Sequence, residues 1–218
     1  TLLSVLKIAI GGALTVVLIL LICGVVFVGT LGDYLQNDIL TEASDWSIDD
    51  YDLEKTSFLY YVDNDGNIQQ LQQIYTTTDR QIASLEEIPQ DLINATVAIE
   101  DKRFMTHNGV DFRGTVRAIL STLTGRGVQG GSTITQQLVK NMTEDNDYSV
   151  KRKVTEIMRA LTLEKKVDDK DTILELYMNI IYFGKNAYGV QTASKTYFNK
   201  PVDQLDLAEC ALIAGLTQ

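Results

Sequence analysis

Three clusters of residues have types and spacings that can do chemistry, and all three handle protons or anions. Glu100 and Asp101 close an apolar run at residues 95–99, after which the chain turns through Phe104, His107 and Gly109. A carboxylate with apolar surface behind it and an open turn ahead has the setting that general-base work requires, although a solvated helix end has the same local sequence. In the second cluster, Gly130 and Gly131 precede Ser132, Thr133, Ile134, Thr135, Gln136 and Gln137. The two glycines let the backbone approach a ligand closely, Ser132 or Thr133 can cap the helix that follows, and Thr133 with Gln136 has capping-box spacing. Such a helix start is expected to present free N–H groups to an anion, or merely to begin a helix. Lys140, one turn beyond Gln136, adds a full positive charge, with Asn141 beside it.

The third cluster is Lys151, Arg152, Lys153 and Glu156, continuing to Arg159. Arg152, Glu156 and Arg159 fall at i, i+4 and i+7 and form one polar stripe, beside an apolar stripe of Val150, Val154, Met158 and Leu161 that is expected to face inward. Surface ion pairs at this spacing contribute only about 0.3–0.5 kcal/mol, so the stripe alone does not separate an anion site from a solvated face.

Chemistry of this kind needs rigid elements to hold it, and the hydrophobic periodicity supplies helices. Apolar residues recurring at three and four predict helices over 90–100, 112–123, 133–141, 149–166, 172–183, 188–197 and 205–216. Glycine and short polar runs at 125–131, 143–148, Gly184 and Gly189 separate them. Ahead of them, residues 58–62 and 68–71 read as two strands joined by Asp63, Asn64, Asp65, Gly66 and Asn67. The Asp63, Asp65 and Asn67 triplet has some likeness to a calcium loop, but the required Gly and distal Glu are out of place, so a turn is the expectation.

Composition narrows the classes further. The chain has 218 residues, 45% hydrophobic and 22% charged, enough for one domain with its own core plus an accessory segment. Cys23 and Cys210 are the only cysteines and His107 the only histidine, which excludes a disulfide scaffold and a zinc or His-rich metal centre. Between Glu100 and Lys166 twelve basic residues face eight acidic ones, a local balance of +4, within a chain whose formal net charge is −10. This suits an anion-binding cleft as well as a solvated face, and with no base-stacking aromatic pattern it argues against nucleic acid.

Residues 8–31 are 24 consecutive uncharged residues, about 36 Å of helix and enough to cross a hydrocarbon core of about 30 Å. An anchor is expected rather than a signal peptide, whose apolar region is shorter. Lys7 before the span and Asp33, Asp38, Glu42, Asp45, Asp49, Asp50, Asp52 and Glu54 after it point to a cytoplasmic N-terminus with the bulk outside. The organisation expected is a transmembrane anchor at 1–32, an acidic extracytoplasmic linker at 33–57 and a mainly α domain with a small β-hairpin at 58–218. Residues before Thr1 are expected to be missing.

With these motifs in order, the sequence resembles a known family. Glu100-Asp101-x-x-Phe104-x-x-His107-x-Gly109, the run from Gly130 to Gln137 followed by Lys140-Asn141, Arg152-Lys153-x-x-Glu156, and Ile173-Leu174-Glu175-x-Tyr177-x-Asn179-x-x-Tyr182-Phe183-Gly184 occur as in the peptidoglycan glycosyltransferases. These are the lysozyme-like domains of class A penicillin-binding proteins and monofunctional transglycosylases. Leu207-Ala208-Glu209-x-Ala211-x-x-Ala214-Gly215 is similar to the last family motif, and Asn186 departs from a glycine that many members carry.

The resemblance implies a bilobal helical fold and a reaction. An acceptor GlcNAc 4-hydroxyl attacks C1 of a donor MurNAc in lipid II, the anomeric centre inverts, and undecaprenyl pyrophosphate leaves. It implies Glu100 as the general base and Glu156 as the second catalytic glutamate, orienting cations or holding a Mg²⁺ or Mn²⁺ ion, with the two facing one groove. It implies substrate contacts from Ser132, Thr133, Gln136, Gln137, Lys140, Asn141, Arg152 and Lys153, support from Asp101, and a site shaped by Phe104 and His107. The implied partners are the growing lipid-linked glycan, the bacterial cytoplasmic membrane and other cell-wall or division proteins. The implied location is a single-pass membrane protein acting outside, and a transpeptidase domain is expected beyond Gln218. A lytic hydrolase and a non-catalytic tethered scaffold are the rival readings.

Overall fold

The computed structural model describes residues 2–41, 43, 57–63, 65–74, 79–124, 130–143 and 149–217. Most of the expected acidic linker, including Asp45, Asp49, Asp50, Asp52 and Glu54, lies outside the described residues, as do Asn64 and the separators at 125–129 and 144–148. The chain divides into two compact units, Thr1–Asp45 and Trp46–Gln218.

The first unit is built on helix α1, Leu2–Tyr34, which runs on into a π-helical turn at Leu35–Leu40. Its segment Leu14–Tyr34 has a mean hydropathy of 2.9 over its most apolar window and none of that window is buried. Those 21 residues make about 32 Å of helix, long and apolar enough to cross a membrane.

The second unit is mainly helical, as the periodicity predicts. Strands β1, Ser57–Val62, and β2, Ile68–Ile74, pair antiparallel with an irregularity between Leu59 and Tyr60. The Asp63 carboxylate closes their turn by accepting from the N–H groups of Asp65 and Asn67, and Gly66 supplies the positive φ of 86°. Two short strands, β3 at Asp79–Arg80 and β4 at Ala187–Tyr188, pair in parallel. The helices are α2 Gln90–Glu100, α3 Phe112–Leu123, α4 Ile134–Thr143, α5 Val150–Val167, α6 Lys170–Ile180, α7 Val190–Phe198 and α8 Leu207–Gly215.

Their ends are set by side chains. Ser149 caps α5 through the N–H of Arg152, Asp169 caps α6 through Asp171 and Thr172, and Asp206 with Glu209 forms a capping box on α8. Helix α4 packs on both α5 and α6, while α2 packs on α8. Leu92, Phe104, Ile134, Leu138, Leu163, Ile173, Tyr177, Met178 and Ile213 make one core in which each is at most 2% exposed.

On α5, Val150 of the expected inward stripe is 82% exposed, standing at the first position of the helix before it reaches the core, while Val154, Met158 and Leu161 are half-buried and Leu161 packs against the core. Glu156 of the polar stripe is buried, and Arg152 and Arg159 are half-buried. On α3 the small residues Gly114 and Ala118 are buried, while Phe112, Val116 and Leu120 are 63%, 57% and 56% exposed beside the exposed Arg113 and Arg117.

Candidate active site

Glu100 is the last residue of α2, and two donors from distant parts of the chain reach its carboxylate. The Gln137 amide Nε2 donates to Oε2 at 2.7 Å, and the Thr217 hydroxyl donates to Oε1 at 2.6 Å. Behind Gln137, the buried Tyr177 hydroxyl donates to the amide oxygen at 3.1 Å. Burial, reinforced by the negative charges of Glu100 and Asp101, pushes the Tyr177 phenol far above its ordinary range, so it stays protonated. Glu100 opens into a cleft of about 1020 Å³ whose walls include Lys102, Arg103, Arg117, Gly131, Ser132 and Gln137. Arg103 grips Asp111 through two nitrogens at 2.5 to 3.0 Å.

Asp101 shows what becomes of the helix start that was expected to await an anion. Its buried carboxylate accepts from His107 Nε2 at 2.9 Å and from the backbone N–H of Ile134, the first residue of α4, at 3.1 Å. Thr133 and Gln136 complete the capping box: Thr133 N–H donates to Gln136 Oε1 at 3.0 Å, and Gln136 N–H donates to Thr133 Oγ1 at 3.1 Å. Thr133 Oγ1 also donates to the Gly109 carbonyl. The N–H groups of Ile134 and Gln136 are therefore satisfied by the protein itself, and Asp101 supplies the negative charge that the helix dipole favours. The capping-box expectation holds, and the free anion-binding helix start does not.

The same network fixes the depth of these side chains. Phe104 has no exposed surface and Gln136 is 1% exposed, so both support the cleft from within. Thr133, 1% exposed, caps α4 at the cleft wall, and His107 is held by Asp101. Gly109 explains why this turn is tightly built: its φ is +87°, and a Cβ there would lie 2.7 Å from the Ala160 carbonyl oxygen.

Glu156 is buried on α5. Its Oε2 accepts from Arg152 Nη1 at 2.7 Å and its Oε1 from Lys153 Nζ, while Lys153 Nζ also donates to Ser132 Oγ at 2.9 Å. Among the described residues the cleft wall includes Ser132 but not Glu156, Arg152, Lys153, Lys140 or Asn141. Lys153 and Ser132 thus link Glu156 to the wall of the cleft that Glu100 faces. A divalent cation at Glu156 would meet two positive charges on the only carboxylate there, and among the described residues no three His, Cys, Asp or Glu side chains gather as a ligand set. The donor set at Glu156 does not fit a metal.

Several residues of the site were invisible in the sequence. Thr217 reaches Glu100 across 117 positions, and no local pattern announces it. Lys102, Arg103 and Arg117 belong to the local basic excess, a signal that fits them without singling them out. Lys170 starts α6 and ties three segments together: its Nζ donates to Glu164 Oε1 and to the His107 carbonyl, each at 2.7 Å, and lies 4.4 Å from the Phe104 ring centroid.

A mainly helical body with a glutamate at a helix end, facing a cleft lined by Lys102, Arg103 and Arg117 and by Asp101 and Asp111, fits the architecture of a lysozyme-like transglycosylase. The family described as Transglycosylase matches residues 66–218, and the chain belongs to that family. It is 44% identical over 170 residues to penicillin-binding protein 1A of Clostridium botulinum (strain Langeland), a match covering 76% of this chain and 20% of that protein. Penicillin-binding protein 1A of Neisseria flavescens is 45% identical over 144 residues, 66% of this chain and 18% of its own length. Penicillin-binding protein 1F of Bacillus subtilis (strain 168) is 42% identical over 153 residues, 70% and 21% respectively. The chain spans about a fifth of the length of these relatives.

Proposed function

We propose that this chain is a peptidoglycan glycosyltransferase that polymerises lipid II at the outer face of a bacterial cytoplasmic membrane. The observation that carries the reading is Glu100, whose carboxylate opens into the cleft beside Lys102, Arg103 and Arg117. Glu100 takes the proton of the acceptor GlcNAc 4-hydroxyl while that oxygen bonds to C1 of the donor MurNAc from the face opposite the leaving group. The C1–O bond to the polyprenyl diphosphate breaks with inversion, and its electron pair leaves on the diphosphate. A diphosphate departs as a stable anion, so the leaving side needs positive charge more than a proton donor, and Lys102 and Arg117 on the cleft wall supply it. Arg152 and Lys153, aligned by Glu156, bring further charge up to Ser132 at the edge of the cleft. Mg²⁺ or Mn²⁺, if the reaction takes one, belongs with the diphosphate and not with Glu156.

The exposed Phe112, Val116 and Leu120 face of α3 and the apolar α1 suit a substrate whose tail stays in the bilayer. The growing lipid-linked glycan is then the second ligand, and other cell-wall synthesis or division proteins are the partners. The test incubates the full chain with lipid II and a divalent cation and follows polymer formation. Wild type makes glycan polymer, Glu100→Gln makes none while keeping its fold, and Glu156→Gln loses at least tenfold in activity by freeing Arg152 and Lys153. Shortened glycan from purified cell wall, with no polymer from lipid II, would identify a hydrolase instead.

A further inference from the structure

The chain tyrosine hydroxyl, glutamine amide, glutamate, threonine hydroxyl joins four segments on a single carboxylate. Tyr177 on α6 donates to Gln137 Oε1 at 3.1 Å, Gln137 on α4 donates to Glu100 Oε2 at 2.7 Å, and Thr217, just past α8, donates to Glu100 Oε1 at 2.6 Å. We propose that Thr217 and Tyr177 are positioning residues for Glu100, Thr217 by holding Oε1 directly and Tyr177 by fixing which end of the Gln137 amide faces Oε2. The proposal rests on the reading of Glu100 as the general base.

The argument is one of donor polarity and lone pairs. A primary amide has a donor end and an acceptor end of nearly equal size, and either can turn toward Glu100. The acceptor end would set a carbonyl oxygen against a carboxylate. Tyr177 favours the observed arrangement: its phenol, kept neutral by burial, donates to Oε1, whereas the reversed amide would set its oxygen against the carboxylate and use the phenol only as an acceptor. Each carboxylate oxygen has two lone pairs, so one donor on each oxygen leaves capacity for an incoming sugar hydroxyl while fixing the plane of the group. General-base catalysis depends on that orientation, since the hydroxyl must meet a lone pair at hydrogen-bonding distance.

The experiment compares Thr217→Val, Thr217→Ser and Tyr177→Phe with wild type and Glu100→Gln, all as the full chain acting on lipid II. Thr217→Val is expected to lower kcat about tenfold, equivalent to about 1.4 kcal/mol, with KM for lipid II within twofold of wild type. Thr217→Ser, which keeps the hydroxyl, restores kcat. Tyr177→Phe shows the same loss confined to kcat, and because it empties a core position of one oxygen, Thr217→Val decides the matter should that variant unfold. Wild-type kcat in Thr217→Val, beside an inactive Glu100→Gln, overturns the positioning role and leaves the base assignment standing. So does a rise in KM with kcat unchanged. A fully active Glu100→Gln overturns the assignment of the base itself.

Discussion

At the scale of single residues, the site is held by groups in and behind the cleft wall. Gly109 sits at φ +87° with Ala160 O where its Cβ would be, so Gly109→Ala must displace α5 or the turn. A cost of about 2–3 kcal/mol follows from strain of this kind, a fall of roughly 4–12 °C in Tm for a chain of this size, read by thermal unfolding. Asp111 provides a pH-dependent counterpart. Burial alone would raise its pKa, but Arg103 and the Gly114 N–H outweigh it and hold the carboxyl below its ordinary value of 3.8. A depressed folded-state pKa contributes stability that is complete above the unfolded value and is lost as pH falls through the folded one. Wild type is therefore expected to lose Tm more steeply than Asp111→Asn below about pH 4, with the two curves converging. Parallel curves across that range would contradict the assignment.

At the scale of elements, the sequence is most informative where a local signal decides the outcome. The Thr133 and Gln136 box forms as spaced, and Ser149, Asp169 and Asp206 each cap the helix that follows them. What escapes reading is the partner that arrives from far away. A helix start at residue 134 looks open to an anion in sequence, and only the fold brings Asp101 onto it. Periodicity likewise does not show where a helix enters the core: Val150, apolar and in register, is exposed at the first turn, while the polar Glu156 two turns on is buried.

Lys170 is the clearest case of a tertiary clip. It joins α5, the start of α6 and the turn after α2 through Glu164, the His107 carbonyl and the Phe104 ring. Lys170→Met leaves Glu164 buried without its cation, which costs about 3 kcal/mol, and the Tm should drop by roughly 6–12 °C. The α3 stripe behaves oppositely. Val116→Gln with Leu120→Gln alters exposed positions only, so Tm stays within about 1–2 °C of wild type. Polymerisation of bilayer-embedded lipid II nonetheless falls, because the apolar face no longer favours the membrane surface. Unchanged activity on vesicles would remove α3 from that surface.

For the whole molecule, the proposed function asks how a chain with a net charge of −10 would handle an anionic substrate fixed in a bilayer. Acidic charge lies mostly outside residues 100–166, so the overall sign does not describe the field at Glu100. An apolar helix as long as α1, inserted in a membrane, would hold far more strongly than an exposed surface stripe or a single acyl chain, whose binding is marginal and reversible. Confining enzyme and lipid II to one surface raises their effective concentration without adding any contact in the cleft. A chain lacking residues 1–45, the first compact unit, is therefore expected to polymerise lipid II in vesicles at least tenfold more slowly than the full chain. In detergent solution, where no shared surface exists, the two should agree within about twofold. The contrast between conditions separates tethering from catalysis: a loss of equal size in detergent would mean that the first unit contributes to the reaction itself, and no loss in vesicles would mean that the α3 face suffices to hold the domain at its substrate.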